Sequence, residues 1–413
     1  MQSIFKPILW CFVFFLTIPS FLKAQEGYLY HIGLADSIQS TILLENRAFW
    51  VHLPDSYNPE NGVHYPVLYV LDGSVHLSGI ASILSYQSPA YIPEMIVVGI
   101  ANNQHRTRDL TPSKVAIRRG FQVGESGEAD QFIAFIGEEL IPYIDQKYKT
   151  TPYRTLIGHS FGGLFAINTW MKHGDWFENY LAIDPSLDWD NQKLLNEIKA
   201  ILPQKDFEGK ALFVSIANDF GRFNANLNLY NLMMDTTEFS LPERSSFDLI
   251  HHIEKQKKTD LRFYWKYYDH QIHGTVPLIS IYDGLRTMFS WYQLEHAPKF
   301  NDFETPIAEI VQLIREREKK LLKHFGYKTP PFEEGLLDML GDMSLDMGKE
   351  AKAKAIFELN VEYYPNSPQV YHKMATYFIT QDNNLEAIKY LQKAHQLSQE
   401  DQYLEQIKQL QSK

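Results

Sequence analysis

The sequence predicts an α/β fold, a mostly parallel sheet with helices on both faces, followed by a small all-helical region. Three observations predict it. Tyr65–Leu71 (YPVLYVL) and Met95–Ile100 (MIVVGI) are strand-length runs with no polar alternation, as expected of strands covered on both sides. Stretches with a helical period separate these and later apolar runs. Beyond residue 334 no strand pattern occurs, and the chain repeats with a period of 34.

The elements follow in order. Ser37–Leu44 and Arg47–Leu53 alternate β-branched and aromatic residues with polar ones, and Pro54-Asp55 closes the second strand. Tyr65–Leu71 ends in Asp72-Gly73, a buried strand delivering a turn. Ala129–Tyr148 has apolar residues at Phe132, Phe135, Ile136, Leu140 and Ile144, a helical period that Pro142 is expected to bend. Thr155–Ile157 is the next strand and Leu164–Lys172 the helix after it. Tyr180–Ile183, Ala211–Ala217 and Leu261–Tyr268 read as three further strands. Between Phe220 and Asp260 there is no sheet pattern; a lid over a site and an ordinary crossover helix behind a long loop both fit.

In the tail, Leu340, Gly341, Ala353, Phe357 and Pro365 recur as Met374, Ala375, Ala387, Leu391 and Gln399. Small residues at 341/375 and 353/387 let paired helices approach closely, while Phe357 and Leu391 fill the space between them. The pattern resembles the tetratricopeptide repeat, with Gln399 standing where proline is usual. Two such units fall short of the three that commonly stand alone. They are therefore expected to pack on the helix Ile307–Phe325, which joins them to the sheet domain. The organisation expected is a targeting segment over 1–24, a catalytic domain over 25–297, a linker over 298–333 and helical repeats over 334–413.

Composition narrows the function. A formal charge of −11 over 413 residues, with no Lys/Arg cluster, argues against a nucleic-acid partner. The segment from Ile8 to Leu22 is apolar behind Lys6, and Lys23-Ala24-Gln25 resembles a cleavage zone. It is shorter than the roughly 20 residues a spanning helix needs. A secreted or periplasmic protein is expected, with a retained anchor as the alternative because Leu22 is large for its place. The one cysteine, Cys11, lies in this segment, so the mature chain would hold no disulfide, thiol nucleophile or thiolate metal site.

Thr155 to Gly163 (TLIGHSFGG) carries most of the chemical case. Glycines stand two places either side of Ser160, a buried strand leads in and an apolar helix leads out. A serine hydroxyl attacks well only when a base takes its proton and its Oγ stands clear of the backbone. A sharp strand-to-helix turn does this, at a backbone cost on the order of 1–3 kcal/mol. For the base, His273 lies in Asp269-His270-Gln271-Ile272-His273-Gly274, just past the last expected strand, with His270 as its rival. For the orienting acid, Asp219 directly follows Ala211–Ala217; Asp269 and Asp184 are alternates. The oxyanion donors expected are the backbone N–H of Phe161 and that of Ser74, in the turn after the first buried strand. No metal or organic cofactor is implied, because no His/Asp cluster has ligand spacing.

Taken together, Tyr69–Gly73, Val97–Ile100, Arg108–Pro112, Phe132–Tyr148, Gly158–Gly163 and His273–Pro277 resemble the esterase branch of the α/β hydrolases that includes the enterobactin-type siderophore esterases. The resemblance spans about residues 37–292. It implies a serine hydrolase acting on carboxylic esters, with Ser160 as nucleophile and His273, not His270, as base. It leaves the acid open, since some members of the branch work with a weakly supported dyad. Asp184-Pro185-Ser186 departs from the Ser-Pro-Ser common among relatives. The partners implied are a small-molecule or saccharide ester and, through the repeats, a protein. Arg106, Arg108, Arg118 and Arg119 would either contact an anionic or catechol-bearing substrate or form structural ion pairs. The alternative reading is a catalytically inactive hydrolase-fold binding protein that docks a partner through its tail.

Overall fold

In the computed structural model the described residues are 32–412, apart from 61, 257–259 and 303. The expected targeting segment, with Cys11, lies outside them. Among the described residues no helix is long and apolar enough to cross a membrane.

Eight strands form one sheet: β1 Leu34–Gln39, β2 Asn46–His52, β3 Tyr65–Val70, β4 Ile96–Ile100, β7 Thr150–His159, β8 Asn179–Ile183, β9 Ala211–Ala217 and β10 Arg262–Tyr268. Their order is β1-β2-β4-β3-β7-β8-β9-β10. The pairs β1–β2 and β2–β4 are antiparallel, and every other neighbour pair is parallel. A small hairpin, β5 Ile117–Arg118 with β6 Phe121–Gln122, stands apart from the sheet.

The continuous apolar runs still obey the two-residue period of a strand. Val67, Tyr69 and Leu71 face one packed layer, while Leu68 and Val70 face the other. The first layer is covered by α2 Arg106–Leu110, the helix Ala129–Lys147 (α3 and α4), α5 Phe161–Lys172, α6 Trp189–Ile201 and α8 Leu241–Glu254. The second is covered by α1 Gly73–Gln87 and α9 Val276–Met288. With both faces closed, function is left to the ends of the strands.

Two expectations shift, and one open choice is narrowed. The first strand ends at Gln39 rather than running to Leu44, because the chain turns around Glu139. That carboxylate accepts bonds from the Ser40 Oγ, Thr41 Oγ1 and Thr41 N–H at 2.5–2.8 Å. The long helix widens to π geometry over Phe135–Leu140, between α3 Ala129–Ala134 and α4 Ile141–Lys147, just before the N–H-less Pro142. The segment after β9 holds the one-turn α7 Phe220–Phe223 and a long loop, then α8 makes the crossover to β10.

After the short α10 Ala297–Asn301, α11 Ile307–Phe325 ties the all-helical region to the sheet. Its Leu321 and Phe325 enter the second sheet layer, and Phe325 meets Tyr153 edge-on at 5.1 Å. Its Ile310 and Ile314 pack on Leu337, Ile356 and Leu359 of α12 Glu334–Asp346 and α13 Glu350–Tyr363. The next pair, α14 Pro368–Thr380 and α15 Asn384–Ser398, starts 34 residues after the first at both helices. Tyr403, Ile407 and Leu410 of α16 Asp401–Gln411 close the end of the stack. Phe357 is buried between the two pairs with Met374 and Tyr377. Phe357→Ala should cost about 3–5 kcal/mol, a value typical for emptying an aromatic core site. Urea denaturation followed by circular dichroism measures it, and a loss below about 1 kcal/mol would contradict this packing.

Candidate active site

The carboxyl ends of β3, β7, β8, β9 and β10 bring every predicted site residue to one edge of the sheet. Ser160 stands between β7 and α5 with φ 62° and ψ −116°, a backbone state that a residue with a side chain seldom adopts. The crossing of strand and helix enforces it. A Cβ at Gly158 would overlap the carbonyl of Gly162, so only hydrogen fits there. The strained turn is held from both sides. Ser160 N–H donates to Ile183 O at 2.9 Å, and Ser160 O accepts from Leu164 and Ser186 N–H at 3.0 and 3.1 Å. The Ser160 Oγ is 3.4 Å from the Ser186 Oγ.

His273 follows β10, and its ring packs at a tilt of 41° against that of His159, the residue before Ser160, with centroids 4.5 Å apart. His270 instead points to solvent beside Asp269. The carboxylate on the imidazole is Asp184, whose Oδ2 is 2.6 Å from Nδ1. This corrects the expectation for Asp219, which accepts the main-chain N–H of His273 at 2.9 Å. The reason is strand order: β8 adjoins β7, whereas β9 lies one strand further out. Asp184 has a positive φ of 43° and leaves the sheet directly beside the elbow. Its other oxygen is fixed by the N–H of Ala217 at 3.0 Å.

Electrostatics follow from this crowding. Burial works to lower the His273 pKa, but the hydrogen bond and charge of Asp184, with Asp219 beyond, outweigh it and hold the imidazole above its ordinary value. Glu243, in the first turn of α8, is buried, and its Oε2 has no hydrogen-bond partner among the described residues. Burial, opposed by its own backbone N–H and reinforced by the charges of Asp184 and Asp219, pushes it up to about 8. His159 is driven down to about 3 by burial and by the neighbouring His273, so it stays neutral.

Phe161 begins α5 and Ser74 is the second residue of α1. Both N–H groups therefore lie in the first turn of a helix, where no intrahelical carbonyl can take them. Among the four arginines, Arg108 is held by Glu45 and Asp109, and Arg106 by Asp72. Arg118 and Arg119 share Asp188 at 2.6 and 3.3 Å, and Arg118 also covers the rings of Phe161 and Trp189 at 5.1 and 5.5 Å. Each has a carboxylate partner within the protein. Ligand atoms of Asp184, Asp219 and His273 lie within 4.8 Å of one another, a spacing a cation can bridge. All three residues are already engaged there in the two hydrogen bonds just described.

The sheet order, the elbow after β7 and the imidazole after β10 define the α/β-hydrolase fold. Comparison with known proteins agrees. Residues 40–199 match the Esterase family model, described as "Putative esterase". The chain is 28% identical over 191 residues to the apo-salmochelin esterase of Escherichia coli, covering 44% of this chain and 59% of that protein. It is 31% identical over 169 residues to the ferri-bacillibactin esterase BesA of Bacillus subtilis, covering 37% and 58%. The chain thus spans a little under three fifths of the length of either. A crystal structure of an IroE-like serine hydrolase from Shewanella oneidensis superposes with a TM-score of 0.62 at 28% identity, over 80% of this chain and 99% of that one.

Sequence reasoning missed Glu243, His159 and the weight of Asp184. The only signal for Asp184 was an Asp-Pro closing the strand next to the nucleophile strand; Glu243 and His159 gave none. Glu243 generates a stability prediction. Unfolded, its carboxyl ionises near 4.5, whereas in the fold it keeps its proton until about 8. Its contribution is therefore fully present below 4.5 and is lost as pH rises to about 8. Glu243→Gln should gain stability relative to the parent by roughly 1–4 kcal/mol between pH 5 and 8. Urea midpoints across that range measure it, and a difference independent of pH would refute the assignment.

Proposed function

We propose that the protein is a serine esterase that cleaves small carboxylic esters through an acyl-enzyme. Ser160 Oγ attacks the ester carbonyl carbon while the Nε2 of His273 takes its proton, and Asp184 holds Nδ1 and steadies the imidazolium. The oxyanion rests on the N–H groups of Phe161 and Ser74. As the intermediate collapses, the carbon–oxygen bond to the alcohol breaks and His273 returns the proton to that alcohol. Water, deprotonated by His273, then releases the acid and restores Ser160. One observation carries this reading: a serine with φ 62° at a strand-to-helix turn, on the same sheet edge as an imidazole bonded at 2.6 Å to a half-buried aspartate. That assembly counts against an inactive scaffold.

The substrate class we favour is a siderophore ester, by analogy with the apo-salmochelin and ferri-bacillibactin esterases. Arg119, with its side chain 42% exposed, supplies cationic character at the rim for an anionic substrate. A carbohydrate ester is the competing substrate. We further read the tail as tetratricopeptide-like, available to a protein partner, and the protein as exported by its N-terminal segment. Hydrolysis of a panel holding a catecholate trilactone, acetylated and feruloylated saccharides, and p-nitrophenyl butyrate ranks these substrates.

Two results are expected. A fluorophosphonate should label the wild type once per chain and leave Ser160→Ala unlabelled; a folded wild type that never labels would defeat the proposal. Asp184→Asn should lower kcat by about 10²–10⁴-fold, while Asp219→Asn should cost less than about tenfold. Because Asp184 raises the pKa of His273, its loss should also move the acid limb of the kcat/KM profile to lower pH.

A further inference from the structure

The two oxyanion donors belong to different parts of the chain, Ser74 after β3 and Phe161 after β7. Some element must set the distance between them, and the segment after β4 supplies it. Arg106 donates from Nε to Asp72 Oδ1 and from Nη2 to Asp72 Oδ2, both at 2.8 Å. The same Nη2 donates to the carbonyl of His159 at 3.2 Å. One planar guanidinium thus grips the residue two before Ser74 and the residue just before Ser160, while lying over the Phe161 ring at 5.6 Å. Asp72 is buried and has a left-handed backbone with φ 53°, and its N–H is held by Asn102 Oδ1 at 3.2 Å. A Cβ on Gly162 would lie 3.8 Å from Asp72 Oδ2, so this carboxylate sits against the elbow itself. Ser74 is tied to the same segment, its Oγ donating to Asn103 Oδ1 at 3.1 Å.

We infer that the Asp72–Arg106 pair is a positioning device that fixes the two halves of the oxyanion hole at the separation the tetrahedral intermediate requires. It acts through Ser74 and Phe161 and rests on the esterase reading above. A lysine at 106 keeps the charge but cannot reach two carboxylate oxygens and a carbonyl from one rigid plane. The cost should therefore appear in the transition state and not in ground-state binding.

The test uses the full chain with Arg106→Lys, Arg106→Gly and Asp72→Asn. Arg106→Lys should lower kcat on p-nitrophenyl butyrate by about 10–100-fold with KM nearly unchanged, somewhat less than the loss of a whole donor. Affinity for an arylboronic acid, which mimics the tetrahedral state, should fall by the same factor. Added guanidinium should restore part of the activity of Arg106→Gly and none to Arg106→Lys. Wild-type kcat in Arg106→Lys, or a loss confined to KM, would overturn the inference, the latter by making Arg106 a substrate contact. Should Asp72→Asn fail to fold, Arg106→Lys carries the test, because its side chain is partly exposed at 31%. A wild type that neither labels nor turns over would instead defeat the esterase reading.

Discussion

The crossing of β7 and α5 at Gly158 and Gly162 is the constraint on which the rest of the structure depends. Two backbones approach there until Gly158 has no room for a side chain, and Ser160 is left with a conformation worth on the order of 1–3 kcal/mol of strain. Such a cost persists only where the surroundings leave no alternative. Here β7 is flanked by parallel neighbours, and nearly all of α5 is buried. Relaxing one serine would mean withdrawing Leu164, Phe165, Ile167 and Trp170 from the core, several kcal/mol of apolar burial against a smaller local gain. The strain at Ser160 is thus held by the core.

The same crowding makes the edge electrically uneven. Asp184, Asp219 and Glu243 gather around one imidazole, and they are kept apart in role by what each accepts. Asp184 accepts from the ring nitrogen Nδ1 and Asp219 from the main-chain N–H, so the first bears on the titration of the imidazole and the second fixes its loop. Glu243 avoids adding a third negative charge by retaining its proton below about pH 8. His159, tilted against the same ring, is neutral and adds no competing charge. An imidazolium formed at His273 would therefore have two carboxylates bonded to its residue and no cation at the neighbouring ring.

How much of this was legible in the sequence depends on range. Ser160 and its glycines were readable because the elbow is local, with every residue that shapes it inside one nonapeptide. Buried strands were readable because YPVLYVL and ALFVSIA have no polar face to give. The choice between Asp184 and Asp219 was not, since both follow buried strands and only the order β7-β8-β9 decides which reaches the imidazole. Strand order is a tertiary fact. Arg106 was visible only as one of several arginines, because its partner Asp72 is 34 residues away. Ser37–Leu44 misled for a similar reason: its alternation is real, but Glu139 captures Ser40 and Thr41 from 98 or 99 residues away.

The all-helical region bears on the site through where it is anchored. Phe325 of α11 seats on Tyr153, near the start of β7, while Ser160 follows the end of that strand. Seven residue steps of extended chain separate them, about 23 Å at roughly 3.3 Å per step. The bolt therefore enters the sheet layer at the end opposite the elbow, and its outer half, Ile310 and Ile314, carries α12 and α13. An anchor so placed leaves the edge that carries Ser160 open to the loops after β3, β8, β9 and β10. It also explains how two helical pairs hold their shape without a third. α11 covers one end of the stack and α16 the other, so the two end faces of the helical pairs have partners within the chain.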